Sequence, residues 1–188
     1  MVAADVRDPE AVRQVVTGTD AVISTFGVPY TREPVSVYSA GVASIIGAME
    51  HLQVRRLVCV SSTTVATDPA PGQPWWWRRG VVPFLRRRIG RTTYDDMERM
   101  EGRVSASDLD WTIVRAGGLF DAPEPTPDYA VATDRLADRF TSRADLADAL
   151  VREATGPGHP RAVVEVLTRS RVPWPPAIVL KEAFGVGA

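Results

Sequence analysis

Short apolar runs punctuate the chain: MVAADV at the start, then DAVIST, RRLVCVSS, DWTIVRA and AVVEVLT. Between them the apolar positions return every three or four residues instead. Runs of four to eight apolar residues bounded by turn signals fit strands buried on both faces, and the three-to-four period fits amphipathic helices. Their alternation predicts an α/β fold, a parallel sheet with helices on both faces. The helix starts carry their own signals. Asp8 before Pro9 reads as an N-cap followed by proline in the first turn, opening PEAVRQVV. Pro34 is expected to open a long helix whose stripe Tyr38, Val42, Ile45, Met49 and Leu52 lies on the sheet. Thr93 and Asp96 have capping-box spacing ahead of Met97, Met100 and Val104, and Ser142 and Asp145 repeat the device before LADALV. The last stretch, RVPWPPAIVLKEAFGVGA, is expected to end in a short helix.

Composition narrows the class. With 188 residues, 45% of them hydrophobic, residues 1–188 can bury one core and read as a single domain, with a Trp/Arg-rich insertion at about 66–91. A net charge of −1 gives no general attraction to nucleic acid. The one cysteine, Cys59, lies inside an apolar run, which excludes a disulfide framework and predicts a buried, inert thiol. No apolar window approaches the roughly 18 residues of a membrane span, and acids stand where a signal peptide has basic residues. A cytoplasmic location is expected. His51 and His159 lack ligand spacing, so no metal is expected.

Three stretches, DAVISTFG, RRLVCVSSTTVATDP and TYDDMERMEGRVSASDLDWTIVRAGGLFD, taken in this order and spacing and followed by FTSRADLADALV, resemble the atypical short-chain dehydrogenase/reductase superfamily. Within it the chain is similar to NAD(P)H-binding proteins of the flavin reductase/biliverdin-IXβ reductase and NmrA-like kinds, over about residues 2–168. The resemblance implies a Rossmann-like fold and NADP or NAD as cofactor. It also implies site residues. Asp5 and Val6 would meet the adenine, and Thr25, Phe26 and Gly27 would pass the adenosine and pyrophosphate. Ser61 and Ser62 would approach nicotinamide and substrate, and Arg115, Ala116, Gly117 and Gly118 would lie near the nicotinamide ring. All stand at carboxyl ends of predicted parallel strands, where open α/β sheets bind ligands. Ser62 and Tyr94 are the candidate catalytic residues.

Two departures qualify the resemblance. No G-x-G-x-x-G occurs, so the glycine turn that brings backbone to a pyrophosphate has no counterpart. The pattern is N-terminally truncated, with the first two strands and the first helix absent. Either the strand at Asp5 pairs directly with the strand at Thr25, or the start is misassigned or the gene truncated; the second is our expectation. The superfamily's Tyr-x-x-x-Lys pair is missing too, because Glu98 stands four positions after Tyr94. Without an ammonium nearby to lower the phenol's pKa, alcohol oxidation by a Tyr/Lys mechanism is not expected. Direct hydride transfer to a flat acceptor needs mainly orientation.

Each candidate also has a purely structural reading. Asp5 can be a strand end, the serines can satisfy backbone at a strand terminus, and Tyr94 can be a packing or lid residue. Asp95 and Asp96 suit the helix dipole, and Gly117 and Gly118 suit a turn. WWWRRGVVPFLRRRIGR reads either as a lid over a flat anionic substrate or as an amphipathic helix with a solvated basic face; a partner or membrane surface and a nucleic-acid contact are further readings. The expected function is NAD(P)H-dependent reduction of a flavin-like or carbonyl small molecule. Its alternatives are a noncatalytic NmrA-like dinucleotide sensor, and a truncated protein that holds no cofactor and associates through an exposed sheet edge or residues 75–91.

Overall fold

The computed structural model describes residues 2–29, 31, 33–68, 70–72, 74–76, 79–80, 82–84, 86 and 90–172. In chain order the elements are α1 (Pro9–Val16), β1 (Ala21–Ser24), α2 (Val37–Leu52), β2 (Arg56–Ser62) with a 3-10 turn at Thr63–Val65, and a one-turn α3 (Val82–Phe84). There follow α4 (Arg91–Ser105), β3 (Asp110–Ala116), β4 (Gly118–Phe120), β5 (Ala130–Ala132), β6 (Phe140–Ser142), α5 (Arg143–Thr155) and β7 (Ala162–Leu167). The main sheet runs β1-β2-β3-β7-β5, parallel except for β5, and β4 pairs with β6 in a small parallel sheet beside it. This is the parallel Rossmann-like sheet that the residue pattern predicts.

Strand alternation sorts the core into two layers. Leu57, Cys59, Trp111 and Ile113 pack with α1, α2 and α4, whereas Val58, Val114, Val164 and Val166 pack with α5. The predicted stripe on α2 lies in the first layer, with Val42 and Met49 completely buried.

Several starts differ from the expectations. MVAADV is not a strand over its described residues: residues 2–5 have no ladder partner, and β1 pairs only with β2. The proposed direct pairing of that segment with the strand at Thr25 therefore does not occur, because an extended apolar run without a neighbour has nothing to receive its hydrogen bonds. The helix expected at Pro34 starts at Val37, and Ser36, its N-cap, makes no side-chain bond to it. Helix α4 starts at Arg91 with Gly90 as its N-cap, so Thr93 and Asp96 lie inside the helix and form no capping box. Asp96 instead crosses to α2. Its carboxylate accepts from the Tyr38 N–H at 2.9 Å, the Ser39 N–H at 3.3 Å and the Ser39 hydroxyl at 2.5 Å, capping the neighbouring helix. The caps at Asp8 and Ser142 form as the sequence predicts. The short helix expected in the last stretch lies outside the described residues.

At the amino end of the sheet a buried polar network closes on itself. Arg56 donates to the Asp110 carbonyl (2.7 Å), the Thr112 hydroxyl (2.7 Å) and the Glu153 carbonyl (2.6 Å). Glu153 accepts from the His159 backbone N–H and pairs with its Nδ1, both at 2.8 Å. The Thr112 hydroxyl donates to the His159 carbonyl at 2.7 Å. Gly158, at φ +47°, is required here, because a Cβ would lie 2.7 Å from the Glu153 carboxylate.

Candidate functional site

The carboxyl ends of β1, β2 and β3 form the edge where the candidate residues gather. Ser61 and Ser62 are the last residues of β2, not part of the loop beyond it. Because side chains alternate along a strand, Ser61 shares the face of Leu57 and Cys59, toward α4, while Ser62 faces the α5 layer. The Ser62 hydroxyl accepts from the Thr64 N–H at 3.2 Å and so caps the 3-10 turn. The Ser61 hydroxyl is buried, its residue only 3% exposed, and it has no hydrogen-bond partner among the described residues. A buried hydroxyl left unpaired costs about 1–3 kcal/mol, which is a reason to look for a ligand there.

Ser61 heads a polar row across the sheet. It lies in register with Arg115 on β3, and Arg115 with Glu165 on β7. Arg115 is clamped by Glu101 of α4 at 3.0 and 2.6 Å. Burial opposes its charge, and Glu101 more than offsets this, so its pKa rises. Burial raises the pKa of Glu165, against the Leu136 N–H and the Arg135 guanidinium, which lies 2.5 Å away. Arg135 also donates to the Asp68 carbonyl, fastening the chain beyond β2 to this row.

Helix α4 covers the row and packs against the 3-10 turn, β2 and β3. Its first turns bring Thr93 and Tyr94, both buried, and the Thr93 hydroxyl is a second one without a partner among the described residues. Glu98, four positions after Tyr94, pairs with Arg86 at 2.6 Å. Burial, reinforced by the Glu101 charge, pushes the Cys59 thiol up to about 12, so it stays protonated at neutral pH.

The turn after β1 is exposed at Thr25 and Gly27 and anchored at Phe26. The Phe26 ring lies 5.8 Å from that of Tyr38, whose hydroxyl accepts from the Val28 N–H at 3.2 Å. Val6 and Phe26 press on Gly41, where a Cβ would lie 2.9 Å from Val6 and 3.0 Å from Phe26. Asp5 and Val6 are thus brought beside the turn that the resemblance assigns to the adenosine. Asp5, however, is exposed and spends its carboxylate on Arg7, which bonds it at 3.1 and 2.8 Å and, with its backbone N–H, holds its pKa at about 2.

On the far side of the row, Ala116 is buried toward α5. Gly117 donates its N–H to the Thr141 hydroxyl at 2.8 Å, and a Cβ there would lie 2.3 Å from the Arg139 carbonyl oxygen. The close backbone approach that requires this glycine is therefore the protein's own, and Gly118 begins β4 by bonding the same carbonyl at 3.0 Å. Sequence reasoning missed Glu101, Glu165 and Arg135 as members of this site. A charge inside the apolar run AVVEVLT was the available signal for Glu165.

The residues present offer vacant hydrogen-bonding capacity at the end of β2 but no phosphate-binding turn. Two buried hydroxyls are without partners among the described residues, that of Ser61 at the carboxyl end of β2 and that of Thr93 in α4. At the adenosine end, β1 has no second neighbour among the described residues, Ile23 is 39% exposed, and the sequence offers no glycine-rich turn.

A family model described as NAD(P)H-binding matches residues 1–157. Among solved structures, the chain is similar to a short-chain dehydrogenase/reductase of Veillonella parvula DSM 2008 in complex with NADP. The identity is 19%, with 90% of this chain and 72% of that one covered and a TM-score of 0.70. It is likewise similar to ChuY, an anaerobillin reductase of Escherichia coli O157:H7, at 19% identity over 91% of this chain and 76% of that one, TM-score 0.69. The oxidoreductase ylbE of Lactococcus lactis is matched at 20% identity, 89% and 71% coverage and TM-score 0.69. At these identities the likeness establishes the fold. No helix among the described residues is long and apolar enough to cross a membrane.

Proposed function

The chain belongs to the NAD(P)H-binding family, and from that premise we propose that it is a reductase passing hydride from NADPH or NADH to a flavin-like or carbonyl-bearing small molecule. The observation that supports this most is the unpaired, buried Ser61 hydroxyl at the carboxyl edge of β2. When bound, the dinucleotide supplies the hydride. The protein's part is orientation and the exclusion of water.

Ser61 and Thr93 would take hydrogen bonds from the nicotinamide amide or donate to the acceptor's oxygen, each ending the unpaired state of a buried hydroxyl. Arg115, fixed by Glu101, puts positive charge beside Ser61, where negative charge on a reduced acceptor would be stabilised. Thr25, Phe26 and Gly27 would pass the adenosine half. Of the two serines, Ser61 takes the catalytic role that the resemblance left with Ser62, whose hydroxyl is engaged by Thr64. Tyr94 is a buried wall, and the residue four positions on is Glu98, a carboxylate and not the ammonium that would lower a phenol's pKa.

The test is NADPH oxidation with FMN as acceptor, in the wild type and Ser61→Ala. Turnover that falls about 100-fold in the variant, with its melting temperature kept, supports the reading. Turnover equal in both overturns the role of Ser61. A second reading, dinucleotide sensing without turnover, is favoured by Glu98 standing four positions after Tyr94; binding without oxidation of any acceptor would select it.

A further inference from the structure

Glu165 is a buried titratable group that the reductase reading does not use. It stands in the apolar strand AVVEVL, with β3 on one side and β5 on the other, and is only 3% exposed. A buried ion pair gains little over apolar side chains of the same volume, so stability alone does not account for a carboxylate at this position. Its contacts point to another role. Oε2 accepts from the Leu136 N–H at 2.8 Å, and Oε1 meets the Arg135 Nε at 2.5 Å as a charge pair without the alignment of a hydrogen bond. Both partners lie in the connection that leads from β5 to β6, residues 133–139.

Arg135 also donates to the Asp68 carbonyl, in the chain that leaves β2. The two connections run side by side there, since a Cβ on Gly72 would lie 3.8 Å from the Ala137 Cβ. One carboxylate on β7 thus fastens the chain beyond β5 and, through Arg135, the chain beyond β2. It does so close to the site. Glu165 is in register with Arg115, and Arg115 with Ser61, so two strand spacings, about 10 Å of backbone separation, lie between Glu165 and the unpaired hydroxyl. The neighbouring charges have partners of their own: Arg115 is held by Glu101 at 2.6 Å, and Asp138 of the same connection pairs with Arg169 at 3.6 Å. Removing the Glu165 charge therefore frees Arg135 above all.

We propose that Glu165 is a positioning residue: by fastening the 133–139 connection and, through Arg135, the chain at Asp68, it keeps the border of the site at Ser61 in the form that binds the dinucleotide. This rests on the reading that the nicotinamide lies at Ser61. Glu165 acts through the two connections and takes no part in hydride transfer. When they are loose, apparent affinity falls in proportion to the fraction of molecules that have them in place, while the bound form is unchanged. The effect belongs in KM rather than in kcat.

The experiment is limited trypsin digestion of the full chain, with amide hydrogen exchange at Leu136, in the wild type, Glu165→Gln and Glu165→Leu, melting temperatures being read alongside. Neither readout needs cofactor, so both stand apart from the test of the reductase reading. Trypsin can cut after Arg135 only when that side chain leaves Glu165 and Asp68, so cleavage there should be at least about tenfold faster in both variants. Exchange at Leu136 should rise about tenfold in Glu165→Leu, which removes the acceptor, and less in Glu165→Gln, whose side-chain oxygen still accepts. Amides of β2 and β3 should keep their wild-type exchange. In NADPH oxidation the KM for NADPH should rise at least about fivefold in Glu165→Leu, with kcat within about twofold. The proposal is overturned by wild-type cleavage at Arg135 and wild-type exchange at Leu136, or by faster exchange spread through β2 and β3. An unchanged KM in a variant whose connections have loosened overturns it too. A wild type that oxidises no NADPH defeats the reductase reading, and digestion and exchange then decide by themselves whether Glu165 fastens the two connections.

Discussion

Two polar groups of the central sheet, the Arg56 cluster near its amino end and the Ser61 hydroxyl at the carboxyl end of β2, are satisfied to different degrees, although the buried Trp111 Nε1 near the start of β3 also has no partner among the described residues. At the amino end Arg56, Thr112, Glu153 and His159 satisfy one another, with Arg56 reaching the Asp110 carbonyl as well. At the carboxyl end of β2 the Ser61 hydroxyl, and in α4 the Thr93 hydroxyl, are buried and have no partner among the described residues. The same strands, β2 and β3, run between the two. A closed network holds the fold together, whereas the vacant capacity at Ser61 is what our proposal assigns to a ligand.

That contrast can be broken by substitution, and the largest effect is expected at the amino end. Arg56→Ala strips three acceptors and leaves Glu153 buried beside His159, so urea unfolding should show a loss of about 3–5 kcal/mol. Asp96→Ala comes next. It orphans the first N–H groups of α2, and the loss should be about 2–3 kcal/mol, read by the same method. Ser61→Ala should behave differently, because an unpaired hydroxyl contributes nothing to the fold: stability should stay within about 1 kcal/mol, or rise, while turnover falls. A destabilisation as large as that of Arg56→Ala would mean that Ser61 has a structural partner after all.

The smallest effect is at Asp5. Its carboxyl titrates at about 2 instead of 3.8 because Arg7 bonds the ionised form. A depressed folded-state value favours folding above the ordinary carboxylate range, and that contribution disappears as pH falls from about 4 toward 2. The group is fully exposed, so thermal melting of Arg7→Gln at neutral pH should match the wild type. The Asp5 carbon resonance should return in that variant to the usual carboxylate midpoint, and a midpoint still near 2 would mean that another group holds it down.

Much of the frame was legible from the residue pattern. DAVIST, RRLVCVSS, DWTIVRA and AVVEVLT all became strands of one sheet, and PEAVRQVV became a helix capped by Asp8, because burial on both faces and capping chemistry are local properties. MVAADV had the same apolar character and is no strand, since pairing needs a neighbour that composition cannot announce. Thr93 and Asp96 had the right spacing for a cap, yet Asp96 found a better set of donors on α2, a long-range contact that no local motif encodes. The site was legible as a set of strand ends. Which serine keeps a hydroxyl without a partner among the described residues was not, because the facing of Ser61 and Ser62 depends on which helices cover which side. Gly117 showed the opposite failing: the glycine was noticed, but the backbone it admits is that of Arg139.

The most direct test of the account is a titration of this chain with NADPH and with NADH, following nicotinamide fluorescence, in the wild type and in Ser61→Ala. The account predicts saturable binding to the wild type, with enhanced emission that is lost or weakened at least tenfold in a variant that melts at the wild-type temperature. No binding of either nucleotide to the folded wild type, or binding identical in the two proteins, would contradict the claim that the vacant hydroxyl at the end of β2 marks the nicotinamide site.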